Sequence, residues 1–422
     1  KKASQRVRAI WTLLGILAVV GLGSMYYLKN FVKPKQQAAL NADLVQEAKA
    51  ALLIGRYRES MASFKQVYEQ DQANNEVFLY LGTLLVQMEN QTFLGRQLLE
   101  RYEPDSEFRS KLREVALGLS YYKEENMERA EEMFQGILAR DPKYFPAAFN
   151  LGALQLRNGQ LDEAIRSLQA SVLTGKYEPY VSLVIAKAYI DKWRSTDDSQ
   201  LLITARSTLE GVVTIGQDYY QEALLFLAYV YILQNEVEKA QALVESILDA
   251  NPYLTPEHRH NLFLARDVLS WSNLSDYCFQ MIQQLGPSAH VKALEGFCQS
   301  KMGDGTQAKS TLERAIDQSG QDPLVQSVYA YVLERLGHSS EASVALGLAT
   351  RNQGNGRFKL PLMLQSRFCQ ISEDYECLRR SAEQLLRIDA SSVTANVQLA
   401  IYNNQVQNSE VALRYVERAE RL

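Results

Sequence analysis

Histidine is scarce in this chain, with four residues in 422: His258, His260, His290 and His338. Only the first two are neighbours. Residues two apart on a helix point to different faces, so the pair is a poor start for a metal site. Cysteine is equally rare: Cys278, Cys298, Cys369 and Cys377 all lie in the C-terminal half. None is spaced Cys-x-x-Cys, which argues against a zinc ribbon or a dithiol redox motif. No glycine-rich phosphate loop is present; Gly354-Asn355-Gly356 reads as a lone turn. The carboxylate pairs Glu124-Glu125 and Glu131-Glu132 read as solvated charge on turns and helix faces, and no serine or cysteine triad can be assembled. The expectation is no enzyme, no cofactor and no metal. Proline is also sparse, ten in all, and Pro104, Pro142 and Pro252 sit near regular breaks. That pattern suits helices interrupted at intervals.

Acidic residues are missing from positions 1–42, which carry seven basic side chains: Lys1, Lys2, Arg6, Arg8, Lys29, Lys33 and Lys35. Removing those seven leaves 38 basic and 49 acidic residues, a net charge of −11 over the rest of the chain. Such a surface does not neutralise phosphates, so no nucleic acid is expected as a partner. Charge of either sign is absent from Ala9 to Leu28, twenty residues in a row. At about 1.5 Å per residue a helix of that length spans roughly 30 Å, the thickness of a bilayer core. Trp11 lies near one end and Tyr26 and Tyr27 near the other, where amphipathic rings favour the interface. The expected organisation is a basic tail at 1–8, a transmembrane helix at 9–28 in contact with the lipid bilayer, a basic juxtamembrane linker at 29–40 and a helical array at 41–422. The other reading of 9–28 is a secretory signal peptide ending near Gly21-x-Gly23; the length of the apolar run favours the anchor. The flanks carry four and three basic residues, and a short positive N-terminal tail tends to stay cytoplasmic. That would export everything after residue 28.

What the sequence does have is a period. Gly118 and Gly152 are 34 residues apart, as are Ala130 and Ala164. A helix with Leu-Gly near its middle, a tight turn, and a second helix with Ala and an apolar residue four positions later make up each block. Further blocks start at Gln221 (Leu227, Ala228, Ala240, Val244, Pro252), at Ala289 (Gly296, Gly303, Ala308, Leu312, Ala315) and at Pro323 (Ala330, Gly337, Ala342, Leu346, Ala349). Small residues at these places let paired helices approach, and the large apolar ones fill the seams. This pattern resembles the tetratricopeptide repeat, a helix–turn–helix unit of about 34 residues that stacks on copies of itself. Weaker blocks at 41–74, 75–108, 359–392 and 393–422 and a degenerate one at 255–288, with Leu274 where a small residue is expected, complete about eleven units. The extra residues at 193–209 are expected to lengthen the turn between two helices.

The resemblance implies an all-α fold, a right-handed superhelical solenoid whose first helices line a concave groove. Carried over position by position, the groove is lined by Val115, Leu119, Tyr122 and Lys123, then Phe149, Ala153, Leu156 and Arg157. Next come Tyr180, Leu183, Lys187 and Ile190, then Leu225, Tyr229, Ile232 and Leu233, and further on Phe297, Lys301, Tyr331, Glu334 and Arg335. Apolar and aromatic surface with Lys and Arg at its margin marks an interaction site, here for a helix or extended segment of a protein partner. The alternative is that a tightly wound superhelix packs these side chains on one another. Asn150 occupies a position where the family often has Asn. The Lys and Asn that hold a C-terminal carboxylate in the family's peptide clamp are missing, since Lys49 and Val45 stand at the corresponding places of block 41–74. A receptor for chaperone tails is therefore not expected.

Repeat register also sets Cys369 and Cys377 on the two helices of one hairpin, and Cys278 and Cys298 on adjacent helices of neighbouring blocks. Two disulfides, Cys278–Cys298 and Cys369–Cys377, are geometrically conceivable and would mean an oxidising compartment such as the periplasm. Four buried thiols are the equal alternative. The functional expectation is a membrane-anchored scaffold of a bacterial inner-membrane complex serving motility, secretion or wall assembly. Its rivals are a cytoplasm-facing receptor of the same fold and a non-catalytic regulator of a membrane enzyme acting through the transmembrane helix.

Overall fold

The computed structural model describes residues 33–53, 56–88, 91–172, 178–214, 221–253, 262–265, 267–353 and 357–421. The expected membrane helix with Trp11, Tyr26 and Tyr27 lies outside the described residues, as do His258 and His260. Among the described residues no helix is long and apolar enough to cross a membrane, and every regular element is an α-helix.

The chain divides into two compact units, the first ending at Asn126. It contains α1 (Lys33–Leu53), α2 (Tyr57–Gln70), α3 (Asn75–Met88), α4 (Thr92–Arg101) and α5 (Glu107–Lys123). The helix α1 starts within the stretch expected to be a linker. Its second residue is Pro34, which suits a first turn, and the run QQAAL favours helix. Helix α2 buries Tyr57, Ser60, Met61, Phe64 and Val67, a stripe at helical spacing. Helix α3 is buried almost all round because it packs on α2, α4 and α5. Its crossing with α4 is set by two glycines: a Cβ on Gly82 would lie 2.8 Å from the Gly95 carbonyl oxygen, and one on Gly95 would lie 2.6 Å from that of Gly82.

The second unit runs from Met127. It holds α6 (Met127–Arg140), α7 (Phe145–Arg157), α8 (Leu161–Val172), α9 (Glu178–Thr196), α10 (Ser199–Thr214), α11 (Gln221–Leu233) and α12 (Val237–Asp249). Then follow α13 (Trp271–Gln284), α14 (Ala289–Lys301), α15 (Gly305–Ser319), α16 (Pro323–Arg335) and α17 (Ser339–Asn352). The unit closes with α18 (Leu360–Ile371), α19 (Tyr375–Ile388), α20 (Val393–Gln405) and α21 (Ser409–Arg421). Consecutive helices pair as antiparallel hairpins, α7 with α8 through α20 with α21. The small residues act as expected: a Cβ at Gly152 or at Gly296 would stand 2.7 Å from Cγ of Leu168 or of Leu312, each on the partner helix.

Turns inside the hairpins share one geometry. Glu125, Gly159, Asp197, Asn235, Gly303, Gly337, Glu373 and Gln407 all take positive φ, between 56° and 94°. In all of these but the turn at Asp197, the next amide closes the helix end by donating to a carbonyl five residues back, as from Gln160 to Gln155 at 2.9 Å and from His338 to Leu333 at 2.9 Å.

Two expectations about register need correction. The extra residues at 193–209 do not lengthen a turn; they lengthen the helices, since α9 has 19 residues and α10 has 16 against 13 and 12 in α7 and α8. In the block 255–288 the described part of the first half is not helical, and the second helix is α13. That part contains Leu262–Ala265 and Asp267–Ser270, which are turns and bends rather than helix. Helix α11 packs on α13, and α12 packs on α14 and α16.

Candidate partner-binding face

The apolar positions read from the sequence as an open groove are closed. Within the first unit Val115, Leu119 and Tyr122 are buried and Lys123 is half-buried. Within the second unit Phe149, Ala153, Tyr180, Leu183, Ile190, Leu225, Tyr229, Phe297 and Tyr331 are buried too. Leu156, Lys187, Ile232, Leu233, Lys301 and Glu334 are half-buried, and Arg157 and Arg335 are exposed. In the second unit this face is closed by Leu262–Ala265 at Asn150 and Tyr180, by Tyr277 of α13 at Tyr229, and by Tyr253 at Tyr331.

Asn150 is 1 % exposed in the middle of α7. Its side chain donates through Nδ2 to the carbonyl oxygen of Phe263 at 2.8 Å and accepts through Oδ1 from the amide of Ala265 at 2.7 Å. One carboxamide so satisfies a donor and an acceptor of a buried backbone that has no helix to do so. Tyr180 on α9 donates to the Ala265 carbonyl at 3.5 Å, and its ring lies 5.5 Å from that of Phe149. Leu262, Phe263, Leu264, Ala265, Val268 and Leu269 are all buried. Arg157, at the end of α7, pairs with Asp267 at 3.9 Å.

Next along the same unit stands an aromatic cage around a cation. The guanidinium of Arg194 is 4.3 Å from the Tyr277 ring centre and 5.4 Å from that of Tyr229, close enough for cation–π attraction. Arg194 donates to the Tyr229 hydroxyl at 2.8 Å, and that hydroxyl donates to Gln280 at 2.7 Å. Tyr277 donates to Asp191. Burial and the neighbouring carboxylate push the Tyr277 phenol far above its ordinary range, so it is a fixed donor. The extra length of α9 supplies Asp191 and Arg194.

A third cluster receives the residues that leave α12. Tyr253 donates to Glu334, and its ring meets that of Tyr331 edge-on at 5.3 Å. Arg367 covers Tyr253 at 4.1 Å and reaches Glu334 at 3.1 Å. Lys301 donates to the Pro252 carbonyl. Asp249 accepts from the Leu360 amide at 2.8 Å, while burial pushes its carboxyl up to about 6. Nearby His290 bridges Glu245 at 3.3 Å and Asp322 at 3.2 Å, and the hydrogen bond to Asp322 raises its pKa.

Sequence profiles find a repeat in the same hairpins. The profile of the tetratricopeptide repeat matches residues 121–188, and a second profile of the same description matches 221–246. The chain carries tetratricopeptide repeats. Asn150 and Tyr180 fall inside the first match, and Leu262–Leu269 falls outside both. A thermophilic tetratricopeptide protein of Thermus thermophilus is 18 % identical over 53 % of this chain and 98 % of its own, at a TM-score of 0.32. MamA of MSR-1 is 27 % identical over 42 % of this chain and 97 % of its own, at a TM-score of 0.32. The Cut9–Hcn1 hetero-tetramer of the APC/C matches 94 % of this chain and 80 % of its own, at 13 % identity and a TM-score of 0.32. No curated protein matches the chain by sequence.

Sulfurs of Cys278 on α13 and Cys298 on α14 form one disulfide, and those of Cys369 on α18 and Cys377 on α19 form another. Among the described residues no cysteine is left free. Sequence reading missed Arg194, Tyr253 and Tyr277 as parts of this face. The broken small-residue pattern at Leu274 was the one sign that the repeat changes there.

Proposed function

We propose that the chain is a scaffold that holds protein partners on its repeats, tethered to the bilayer by residues 9–28, with the repeats on the periplasmic side of a bacterial inner membrane. It would serve an envelope complex for motility, secretion or wall assembly. The observation that carries the scaffold reading is the Asn150 clamp: a first helix of the array already grips non-helical polypeptide by its main chain. The twenty uncharged residues flanked by basic ones support the tether. Two cystines support an oxidising compartment.

The test is purification of the full chain from native membranes in mild detergent, with mass spectrometry of what accompanies it. Reproducible envelope proteins that survive a salt wash are expected. Extraction of the chain by alkaline carbonate without detergent would sink the tether, and the absence of any reproducible companion would sink the scaffold.

A further inference from the structure

The two cystines sit in different surroundings. Cys278 and Cys298 are 0 % and 1 % exposed, and Tyr277, Leu294 and Phe297 on the same two helices are buried as well. A reagent reaches that bond only through the core. Cys369 is buried near the end of α18, but Cys377 is half-buried in the first turn of α19, and every residue from 370 to 374 is exposed. This cystine lies under a bare hairpin turn. Asp374 donates its amide to the Cys369 carbonyl at 2.9 Å and accepts from the Cys377 amide at 2.9 Å. Local bonds that do not involve the sulfurs therefore hold both half-cystines in place.

We infer that Cys369–Cys377 is a thiol–disulfide exchange site for a dithiol, and that Cys278–Cys298 is a fixed structural bond. Exchange needs a thiolate that can reach a disulfide sulfur, so access decides which bond reacts. Attack at Cys377 Sγ forms a bond to that sulfur and breaks its bond to Cys369, whose sulfur leaves as a thiolate and takes a proton from water. Cys369 stays on the facing helix, its Cα 5.6 Å from that of Cys377. It re-attacks the mixed disulfide at high effective concentration and expels a reagent that has a single thiol. A dithiol escapes this return. Its second thiol attacks its own sulfur in the mixed disulfide and releases Cys377 as a thiolate in the first turn of a helix, where the backbone dipole favours it. The dithiol gives up two electrons and two protons and becomes a disulfide, and the cystine gains them. Reduction unties the α18–α19 turn, while Leu362, Met363, Ala382 and Leu385 keep the hairpin in its core. The same first turn of α19 carries Glu376, which accepts from the Tyr402 hydroxyl of α20 at 2.9 Å, so loosening of the turn reaches the following hairpin.

The test treats the folded full-length protein in detergent with reduced glutathione as a monothiol, dithiothreitol as a small dithiol and reduced thioredoxin as a protein dithiol. Samples are quenched with N-ethylmaleimide at intervals, and peptide mass spectrometry counts the label on each cysteine. With a dithiol, Cys369 and Cys377 are expected to label together, roughly tenfold or more faster than Cys278 and Cys298, while helical circular dichroism is unchanged. Glutathione at the same thiol concentration should leave little label. Faster reduction by thioredoxin than by dithiothreitol assigns the site to a protein dithiol, and the reverse order to a small one. Equal rates for the two cystines, earlier reduction of Cys278–Cys298, or reduction only after the helical signal is lost overturns the inference. Glutathione as effective as the dithiols overturns the assignment to a dithiol. Cys369→Ser/Cys377→Ser, run alongside, should leave Cys278–Cys298 as slow to reduce as in the wild type. Quick reduction there would mean that the two bonds open as one, and overturns the inference as well.

Discussion

Asn150 accepts a hydrogen bond at 2.7 Å from the amide of Ala265, 115 residues further along the chain. With the bond it donates to Phe263, it ties an irregular stretch into the face that repeats usually leave open. Truncating one partner of a buried hydrogen bond costs about 1–3 kcal/mol for the group left behind. Asn150→Ala orphans two such groups, so release of the segment should become easier by about 3 kcal/mol. Native-state hydrogen exchange at the Ala265 amide would then quicken by roughly a hundredfold, at about 1.4 kcal/mol per decade. Amides in α20, distant in sequence, should keep their rates. A uniform acceleration would mean that the segment and the whole unit open together.

Two titrating groups near α12 predict a loss of stability with rising pH, in two separate windows. His290 has its pKa raised, first by its hydrogen bond to Asp322. The stability it contributes is complete below its unfolded value of about 6.5 and is lost as pH rises through the higher folded value. Asp249 is raised from 3.8 to about 6 by burial. The native state holds that proton longer than the unfolded chain, so stability falls as pH rises from 3.8 to about 6. Urea midpoints between pH 4 and 8 should fall across both windows. Asp249→Asn should flatten the lower one, because Asn keeps an acceptor for the Leu360 amide, and His290→Gln the upper one. A profile unchanged in both variants would refute the assignment.

The cystines predict a cost for reduction. Their sequence separations are 20 and 8. Loop-closure entropy then gives about 3 kcal/mol for Cys278–Cys298 and about 2.5 kcal/mol for Cys369–Cys377. Cys278→Ser/Cys298→Ser should lower the unfolding free energy by about the first amount, and non-reducing gels should show no thiol open to maleimide in the wild type. Ready labelling of the unreduced protein would place the chain in a reducing compartment and remove the main support for a periplasmic location.

The fold was legible because its signal is local and repeated. Gly152 against Leu168 and Gly296 against Leu312 are the same contact in two hairpins, and a fixed period exposes such contacts. Helix membership was legible for the same reason: Phe149, Tyr180, Tyr229 and Tyr331 do lie on the first helices. What covers them was not. Asn150 binds main-chain atoms, and main chain is identical at every residue, so no pattern marks Phe263 and Ala265 as its partners. Tyr253 and Arg367 meet across 114 residues through a ring face, a relationship without a spacing rule. The lengthened α9 was visible as extra residues, but a turn-rich composition (Ser, Thr, Asp) masked a helix whose carboxylate and guanidinium are held by Tyr277.

The hairpin turns offer a last prediction, one that concerns backbone alone. Glycine stands at 159, 303 and 337 in three of these turns, yet Glu373 takes the same left-handed conformation at φ 57°. A residue with a Cβ loses about 1–2 kcal/mol there, and glycine gives back up to about 1 kcal/mol through the entropy of its unfolded chain. Glu373 is exposed, so Glu373→Gly should stabilise the protein by about 0.5–1 kcal/mol. The mirror experiment is Gly337→Ala, where an added Cβ meets nothing within 4 Å. With no clash to blame, its loss of stability must come from the backbone, and should match the gain at 373 in size. Thermal melts of the two variants beside wild type decide it. A neutral Glu373→Gly with a costly Gly337→Ala would show that the turn around Glu373 has relaxed to suit its side chain, and that the shared geometry of these turns is not shared in energy.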